Sequence, residues 1–581
     1  MQKFYSDDKN VQILLALLKA HGIKKIVASP GVANITFVAS AQQDSYFEIY
    51  SSVDERSAAY IACGLAEESK EPVVISCTGA TASRNYMPAL TEAYYRKLPI
   101  LAVTSCRDIA WVSQNSPQQI DRSVQPKDIV RYSLHLPTLH NKQEEDRYTT
   151  LINKAILELS KDGGGPVHIN LTNGYTGKYT TKELPKVRVI QRISKFDSFP
   201  TLPKGKIGIF VGAHSVWTEE LLNAVEKFCR LNNAVVLCDH LSNYHGDYEV
   251  FHNLITCQKQ YRPACSNLDL MVYIGNIHGT DYENLSPKEV WRVNIDGEIR
   301  DSFGGMTHVF QMNEYEFFEH YTNRNGCSVN TFIEEWKQIR EELESRIPEL
   351  PFSNVWVGRQ ILKHIPDNSI IHYGIQNSLR TWNFTQGPKY LLGYSNTGGF
   401  GIDGCVSSLV GASLAYPNKV YYGVVGDLAF FYDMNALGNR HIGNNIRLIV
   451  VNNGRGQQFR NPYSAGGSFG EFADTYIAAA GHNGDQSQSL LMHFAQDLGF
   501  RYFSASNKEE LLQIIPQFTK KEIEESIVLE VFTDTNDESE SLRIICNLKI
   551  DVTMEIVKHA KRIGRKILGD DLTNKISNLR L

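Results

Sequence analysis

The amino-acid sequence predicts an α/β protein of three domains, each built as a parallel sheet flanked by helices. Short apolar runs such as Val73–Cys77 and Ile446–Val451 are rich in β-branched residues and end at Thr or Asn. They are apolar throughout rather than alternating, which is typical of strands buried on both faces. Segments with helical spacing lie between such runs, so the chain alternates strand and helix. A length of 581 residues corresponds to roughly three or four domain-sized units.

The first predicted domain covers residues 1–185. Its apolar runs and helical segments follow each other in the order expected for a parallel sheet covered on both faces. The predicted elements are the helices Asn10–His21, Ser57–Glu68 and Ala89–Lys97 and the strands Lys25–Ala28, Val73–Cys77, Ile100–Ser105 and Gly165–Leu171.

A linker and a second domain are predicted next. The stretch Tyr179–Lys204 is rich in Lys, Pro and Thr, and residues 186–203 are interpreted as the linker. The second domain, residues 204–330, opens with the strand-like run Lys206–Gly212. Its glycines flank a strand-to-helix turn, but no GxGxxG motif is present, so we predict a structural role in preference to an FAD site.

The third predicted domain covers residues 331–545 and contains the strands Tyr421–Val425 and Ile446–Val451. A crossover helix is predicted between them at Met434–Asn439. Residues 546–581 are predicted to form a basic helical tail, whose Lys and Arg residues are interpreted as a solvated helix face.

Composition and charge exclude several classes of protein. Of the residues, 42% are hydrophobic and 21% charged, as in ordinary globular proteins, and the net charge of −5 is small for this length. No nucleic-acid or membrane partner is therefore predicted. The polar start and the absence of a long apolar run predict no signal peptide and no transmembrane segment. The ten scattered cysteines are interpreted as buried, reduced residues of a cytoplasmic protein.

The most informative motif is Gly426-Asp427, followed by Asn453 after the next predicted strand. The carboxyl ends of neighbouring parallel strands meet at one edge of the sheet, where ligands bind. One carboxylate, one amide oxygen and a loop carbonyl form part of a hard-oxygen shell, which Mg²⁺ takes when phosphate oxygens complete it. The spacing therefore predicts a magnesium–diphosphate site, although each motif alone is also a common turn.

A second motif lies far away, in the first domain. Glu55 opens an Ala-rich helical segment, and the predicted strand Val73–Cys77 is followed by Thr78 and Asn85. Together the two motifs resemble those of the thiamine diphosphate (ThDP) enzyme superfamily. In that superfamily a pyrimidine-binding domain supplies a Glu, and a diphosphate-binding domain supplies Gly-Asp and Asn-Asn.

Further motifs narrow the resemblance to one branch, the menaquinone-pathway synthase that adds a decarboxylated 2-oxoglutarate unit to isochorismate. The similarity covers roughly residues 1–545. The shared motifs are Ser29-Pro30-Gly31, Asp54–Ala59, Gln118 in Pro117–Asp121, Asn377–Arg380, Gly401–Gly404 and Gly426–Leu428.

The resemblance implies roles for individual residues. Glu55 is expected to hydrogen-bond the pyrimidine ring of ThDP as a catalytic residue, and Asp427, Asn453 and the main-chain oxygen of Arg455 are expected to hold Mg²⁺. Ile402 is expected beneath the bent cofactor, with a plain core role as the alternative. The remaining residues expected to bind the cofactor are Ser29, Pro30, Gly31, Thr78, Asn85, Asn377, Ser378, Gly426, Leu428 and Ala429.

Substrate contacts are implied less directly. Gln118 matches a position that reaches the reaction intermediate, although Gln119 beside it blurs the register. Arg107 matches an arginine that contacts acidic substrate, with a solvated role as the alternative, and Arg380 and Phe400 are further candidates. Two arginines that the family carries are missing from this sequence. After Gly31 the family has Ser-Arg-Ser, whereas this chain has Val32-Ala33-Asn34. In the family motif Asn-Arg-Gly, Thr397 stands in place of the Arg. Arg binds carboxylate through two hydrogen bonds, which Ala and Thr cannot do.

The sequence thus predicts a ThDP- and Mg²⁺-dependent enzyme that decarboxylates a 2-oxo acid and transfers the acyl unit to an unidentified acceptor. The alternatives are a simple 2-oxo acid decarboxylase, disfavoured because a proton-relay His-His pair is missing near Glu55, and a catalytically silent ThDP-fold subunit. The resemblance also implies a homodimer or homotetramer.

Overall fold

The structure is a computed structural model that describes residues 4–174, 177–279, 282, 284–322, 330–522 and 524–551. The predicted tail beyond residue 551 lies outside the described residues. The described chain forms two compact units, one of residues 4–198 with 296–311 and one of residues 199–295 with 312–551.

The strands account for every predicted strand. They are β1 (Lys25–Ala28), β2 (Glu48–Ser51), β3 (Val73–Cys77), β4 (Ile100–Cys106), β5 (Tyr132–Leu136), β6 (Val167–Thr172), β7 (Gln191–Ser194), β8 (Ile207–Val211), β9 (Ala234–Cys238), β10 (Glu249–Phe251), β11 (Asn267–Leu268), β12 (Leu270–Ile274), β13 (Ser286–Pro287), β14 (Val290–Val293), β15 (Met306–Gln311), β16 (Ile370–Tyr373), β17 (Leu392–Ser395), β18 (Tyr421–Gly426), β19 (Ile446–Asn452), β20 (Arg501–Ala505) and β21 (Ile527–Phe532).

The helices pack between and around these strands. They are α1 (Lys9–Ala20), α2 (Ile35–Ala41), α3 (Glu55–Ser69), α4 (Thr81–Asn85), α5 (Met87–Arg96), α6 (Lys142–Glu158), α7 (Glu219–Asn232), α8 (Asn253–Thr256), α9 (Glu314–Thr322), α10 (Phe332–Ser345), α11 (Asn354–Ile361), α12 (Asn377–Trp382), α13 (Cys405–Ala415), α14 (Asp427–Asp433), α15 (Leu490–Asp497), α16 (Lys508–Phe518) and α17 (Thr535–Ile545).

The first unit is built on a six-stranded parallel sheet in the order β2-β1-β3-β4-β6-β5. Strands β3 and β4 are buried along their whole length. Helix α3 packs on β3 through small buried residues, including Ala58, Ala59 and Ala62, which allow close contact between helix and sheet. The helix begins where Asp54 accepts a 2.7 Å hydrogen bond from the Ser57 amide. The pair β7–β15, also parallel, completes this unit.

The second unit contains two larger parallel sheets and the short parallel pair β11–β13. One has the order β10-β9-β8-β12-β14, and the other has the order β17-β16-β18-β19-β21-β20. The six-stranded sheet of the second unit has the same strand order as the six-stranded sheet of the first unit. The first and third predicted domains therefore share their sheet topology as well as their βα pattern. Both units have parallel sheets flanked by helices, which confirms the predicted α/β class.

Two details differ from the sequence-based expectations. The predicted crossover helix at Met434–Asn439 is wrong: the α-helix α14 starts at Asp427, directly after β18, and Met434–Gly438 is a short 3₁₀ segment. The stretch interpreted as a linker contains strand β7. The predicted domain limits themselves remain predictions.

The structure bears on two features noted in the composition, the cysteines and the apolar content of the helices. The nine cysteines in the described ranges are buried and free of disulfides. No helix of the described part combines the length and the apolar character needed to cross a bilayer.

A buried histidine ties three strands of the first sheet together. His168 lies in β6, and its ring nitrogens are 2.8 Å from the Thr104 hydroxyl in β4 and 2.9 Å from the Ser133 hydroxyl in β5. Burial, with a smaller effect of the Arg122 charge, lowers its pKa to about 3. The folded protein therefore keeps His168 neutral over a range in which the unfolded chain is protonated.

This histidine is expected to make the fold sensitive to mild acid. The folded-state pKa is depressed, so stability falls as the pH drops below the ordinary value of about 6.5 and continues to fall toward about 3. At pH 5.5 the loss is about 1 kcal/mol. The melting temperature should decrease less between pH 7.5 and 5.5 in His168→Gln than in the wild type or in His140→Gln, which changes an exposed residue. Equal decreases in all three proteins would refute this assignment.

Candidate active site

The carboxyl edge of the second unit's last sheet encloses a cavity of about 370 Å³. Strand β16 has β17 on one side and β18 on the other, so the strand order reverses between β16 and β18. Such a reversal opens a crevice outside the strand ends, where parallel sheets bind ligands. Ten residues predicted for the site line this cavity: Asn377, Ser378, Phe400, Ile402, Gly426, Asp427, Leu428, Ala429, Asn453 and Arg455.

Asp427 carries a buried negative charge at this edge. It is the first residue of α14 and only 5% exposed. Burial raises the pKa of its carboxyl to about 7, although the amides of Leu428 and Gly454 favour the ionised form. In the part of the chain that the structure describes, no Lys or Arg forms an ion pair with it. A bound cation would supply the missing positive charge.

Asn453 contributes an unmatched oxygen beside this strand end. Its side-chain Oδ1 is buried and has no hydrogen-bond donor among the described residues. The neighbouring Asn452 is satisfied, because its Nδ2 donates to Glu530 at 2.6 Å and its Oδ1 accepts from the Gly454 amide at 3.1 Å. Of the two asparagines, only Asn453 therefore has an oxygen left for a ligand.

Gly454 fixes the turn that follows Asn453. Its φ is +72°, and a Cβ at this position would lie 2.7 Å from Oδ1 of Asp485. Both the backbone conformation and the close contact require glycine. The turn therefore sets the positions of Asn453 and Arg455 on either side of it.

Two arginines near the cavity are already paired. Nη1 of Arg455 and Nη1 of Arg460 each lie 2.6 Å from a different carboxylate oxygen of Asp474. This shared carboxylate holds the guanidinium groups of Arg455 and Arg460 side by side.

Two further parts of the cavity wall are the apolar side chains of Ile402 and Phe400 and the start of α12. Ile402 packs against the core beneath the sheet, and Phe400 adopts a left-handed φ of +55°. Gln376, with φ +63°, precedes the first turn of α12, which carries Asn377 and Ser378. Arg380 lies farther along α12 and does not line the cavity.

The first unit carries the other predicted residues at the carboxyl edge of its own sheet. Its strand order reverses between β1 and β3. Gly31, after β1, lies so close to Thr78, after β3, that a Cβ on Gly31 would be 2.6 Å from the Thr78 Cβ. The Oγ of Ser29 and the Oδ1 of Asn34 are buried there without hydrogen-bond partners among the described residues.

Glu55 stands at the start of α3, half-buried. Its charge adds to burial in raising the pKa values of Tyr86 and Cys77, so the carboxylate lies near both side chains.

Four predicted residues of the first unit are exposed: Pro30, Asn85, Arg107 and Gln118. Gln118 has a left-handed φ of +61° in the irregular segment that follows the 3₁₀ turn Ile109–Trp111. The roles of these four residues remain predictions.

Comparison with known proteins identifies the family. Residues 9–125 match the family described as thiamine pyrophosphate enzyme, N-terminal TPP binding domain. The 2-succinyl-5-enolpyruvyl-6-hydroxy-3-cyclohexene-1-carboxylate synthase of Bacteroides thetaiotaomicron is 29% identical over 564 residues, which cover 93% of this chain and 98% of that protein. The synthase of the same name from Bacteroides fragilis is 30% identical over 563 residues, with the same coverage. The chain belongs to this synthase family.

Among solved structures, a ThDP-dependent 4-hydroxybenzoylformate decarboxylase from Rhodococcus jostii RHA1 aligns with 90% of this chain and 99% of its own length. The sequence identity is 15% and the TM-score 0.38, too low to support an argument. The assignment to the synthase family rests on the sequence relatives.

Membership of the synthase family confirms the resemblance inferred from the two motifs. The chain is a ThDP-dependent enzyme that combines decarboxylation with acyl transfer. The structure describes both positions at which the resemblance implies that a family arginine is missing. Ala33 is buried, with its carbonyl accepting a 2.6 Å hydrogen bond from Asn173, and Thr397 is buried as well.

The cavity also contains residues that the sequence did not single out. Asn354, Gln376, Gln457, Gln458 and Glu538 line it, and Oε1 of both Gln457 and Gln458 is buried without a partner among the described residues. The two glutamines follow Asn453 closely, and that spacing was a usable signal. Glu538 lies in the polar segment Thr533–Ser541, which resembles an exposed helix start, so its burial had no sequence signal.

Removing the uncompensated charge should stabilise the cofactor-free protein. We expect Asp427→Asn to raise its melting temperature at pH 8, by an amount equivalent to about 1–3 kcal/mol, because the amide avoids burial of a carboxylate. The control is Asp433→Asn at the other end of α14, where both carboxylate oxygens accept 2.6 Å hydrogen bonds from Ser407. This control should lower the melting temperature, because it removes an acceptor that Ser407 uses. A lower melting temperature in both variants would show that the buried carboxylate of Asp427 does not destabilise the cofactor-free protein.

Proposed function

We propose that this chain uses Mg²⁺-bound ThDP to decarboxylate a 2-oxo acid and to transfer the acyl unit to an acceptor. The observation that carries the proposal is that a buried carboxyl group, Asp427, and a buried amide oxygen, Oδ1 of Asn453, lie in one cavity at a strand-order reversal. Among the described residues, Asp427 has no cationic partner and the Asn453 oxygen has no hydrogen-bond donor. A site with these properties fits a hard cation bound together with an anionic ligand.

The residues of the cavity fit the diphosphate end of the cofactor. Asp427, Asn453 and the main-chain oxygen of Arg455 would hold Mg²⁺, with phosphate oxygens completing the shell. The amides at the start of α14 would face the phosphates.

When bound, ThDP supplies a carbon acid that adds to the 2-oxo acid and an electron sink for loss of CO₂. Glu55 would hold and release a proton at the pyrimidine ring, which requires a group that exists in both protonation states. Ile402 and Phe400 would support the cofactor with apolar contacts and exclude water.

This chain must bind the carboxylates of its substrates in a different way from its relatives. Ala33 and Thr397 offer no guanidinium where the synthase pattern has arginines, and Arg455 and Arg460 are engaged by Asp474. From the sequence resemblance alone we propose Arg107 and Arg380 as candidates for the recognition of acidic groups, with Phe400 shaping the cavity wall. The substrate class remains a 2-oxo acid donor with a separate acceptor.

We also propose that the enzyme is a homodimer or homotetramer in the cytoplasm. Glu55 belongs to one compact unit and Asp427 to the other. In the superfamily that the chain resembles, the corresponding domains meet across a two-fold axis. Sedimentation velocity of the active, ThDP-loaded protein should therefore show a dimer or larger species, and an active monomer would contradict this proposal.

The roles of Glu55 and Asp427 are separated by one pair of variants. Glu55→Gln should bind ThDP nearly as well as the wild type but lose about 10²–10⁴-fold in turnover, because the amide cannot carry the proton. Asp427→Ala should lose ThDP affinity, and its activity should partly recover at high ThDP and Mg²⁺. The measurement is a ThDP titration at several Mg²⁺ concentrations, with CO₂ release from a panel of 2-oxo acids as the readout.

Two further variants control for general damage. Glu67→Gln changes an exposed glutamate of α3 that pairs with Lys70, and Asp433→Asn changes a buried carboxylate of α14. Both should keep ThDP affinity and turnover.

Comparing CO₂ release with and without acceptor aldehydes then distinguishes acyl transfer from simple decarboxylation. Unchanged cofactor affinity in Asp427→Ala would refute the metal site, and near-normal turnover in Glu55→Gln would refute the proton role.

A further inference from the structure

A second carboxyl group lines the same cavity and has no role in the function proposed above. Glu538 lies in the first turn of α17, is only 2% exposed and borders the cavity that contains Asp427 and Asn453. Buried carboxyl groups in ligand cavities are candidates for proton transfer, whereas those that only stabilise a fold are usually paired with a cation.

The carboxyl group is held in one orientation. Its Oε1 accepts a 2.9 Å hydrogen bond from the Asn354 amide and a 2.7 Å hydrogen bond from the Thr533 hydroxyl. Both bonds end on the same oxygen. In the described residues Oε2 has no donor, which leaves this oxygen for a proton or a ligand.

The charges around Glu538 disfavour its ionised form. Those that act on it are Asp537 and Asp534, both negative. The cations on the neighbouring helices are engaged elsewhere: Arg359 of α11 pairs with Glu344 at 2.9 Å, and Arg543 of α17 pairs with Glu540. Burial is the main cause that raises the pKa of Glu538 to about 7, with hydrogen bonds to Oε1 acting in the opposite direction.

The proposed reaction requires such a group. The bond between the acyl carbon and the carboxylate breaks, CO₂ leaves, and the electron pair remains with the acyl carbon and forms the new bond to the acceptor. The acceptor atom that gains negative charge must then take up one proton. The net transfer therefore consumes a proton, which a positioned acid in the cavity can deliver.

We propose that Glu538 is the proton donor for acyl transfer and that it delivers the proton from Oε2 to the acceptor. This inference rests on the proposed function. After each transfer the carboxylate regains its proton from solvent. The amide of Asn354 and the hydroxyl of Thr533 hold Oε1, so they orient the carboxyl group as positioning groups.

The test compares Glu538→Gln with Glu540→Gln in the full-length protein loaded with Mg²⁺ and ThDP. Glutamine keeps an oxygen that can accept both hydrogen bonds but removes the transferable proton. Glu540 lies on the same helix, on the surface, and pairs with Arg543. We expect the transfer rate to fall about 10²-fold or more in Glu538→Gln and to stay unchanged in Glu540→Gln. The pH-dependent limb of the wild-type rate near pH 7 should disappear in Glu538→Gln.

A second readout separates proton delivery from a structural role. Ferricyanide oxidises the decarboxylated acyl unit: two electrons leave, water adds and a carboxylic acid forms, so no proton is taken up. Glu538→Gln should therefore keep its ThDP affinity and its ferricyanide-dependent CO₂ release while losing transfer. In the cofactor-free protein, the infrared band of a protonated carboxyl that titrates near pH 7 should be weaker in Glu538→Gln than in the wild type.

Several outcomes would overturn the inference. A normal transfer rate with the pH limb retained would exclude Glu538 as the proton donor. Parallel loss of transfer, ferricyanide-dependent CO₂ release and ThDP affinity would show that Glu538 only stabilises the start of α11. Failure of the wild-type protein to bind ThDP or release CO₂ would instead refute the proposed function, and the two failures are therefore distinguishable.

Discussion

The arrangement of the second unit's cavity depends on the parallel pairing of β18 with β19. Their register, in which Gly426 lies opposite Val451, ends both strands at the same edge of the sheet. Asp427 and Asn453 follow these strand ends directly, so the backbone hydrogen bonds of the sheet position both side chains. A slip of one residue would turn every side chain of the strand to the opposite face. The fully buried strands hold this register firmly, because either slip would expose or crowd apolar residues.

The same edge contains polar groups that the fold itself leaves unsatisfied. A buried carboxylate without a cation, three buried amide oxygens without donors and a second buried carboxyl group lie around one cavity. Each raises the free energy of the cofactor-free chain. Their concentration around one cavity supports the proposed ligand site.

Much of the fold could be predicted because the central strands are apolar along their whole length. Edge strands such as β2 escaped prediction because they are mostly exposed and carry no apolar run. The crossover helix was misplaced because no Gly or Pro separates Asp427 from the helical residues that follow it. For the site, Asp427 and Asn453 were predictable because they directly follow such strands.

Other parts of the site depend on contacts distant in sequence. The burial of Glu538 results from packing against Asn354, 184 residues earlier in the chain, which no local pattern reveals. The positions of Gln118 and Arg107 depend on an irregular segment whose course is set by tertiary contacts. The pairing of Arg455 and Arg460 with one aspartate likewise cannot be read from residue types alone.

The identical strand order of the two six-stranded sheets has an evolutionary consequence. Two sheets with the same order and the same point of reversal are what duplication and fusion of a single ancestral gene would produce. Each copy would inherit a crevice in the same place, and the two crevices could then diverge. In this chain one crevice retains a glutamate at a helix start, and the other retains an aspartate and an asparagine at strand ends. Loop positions such as Ala33 and Thr397 lie outside the strands, so they can drift toward new substrates while the inherited frame is conserved.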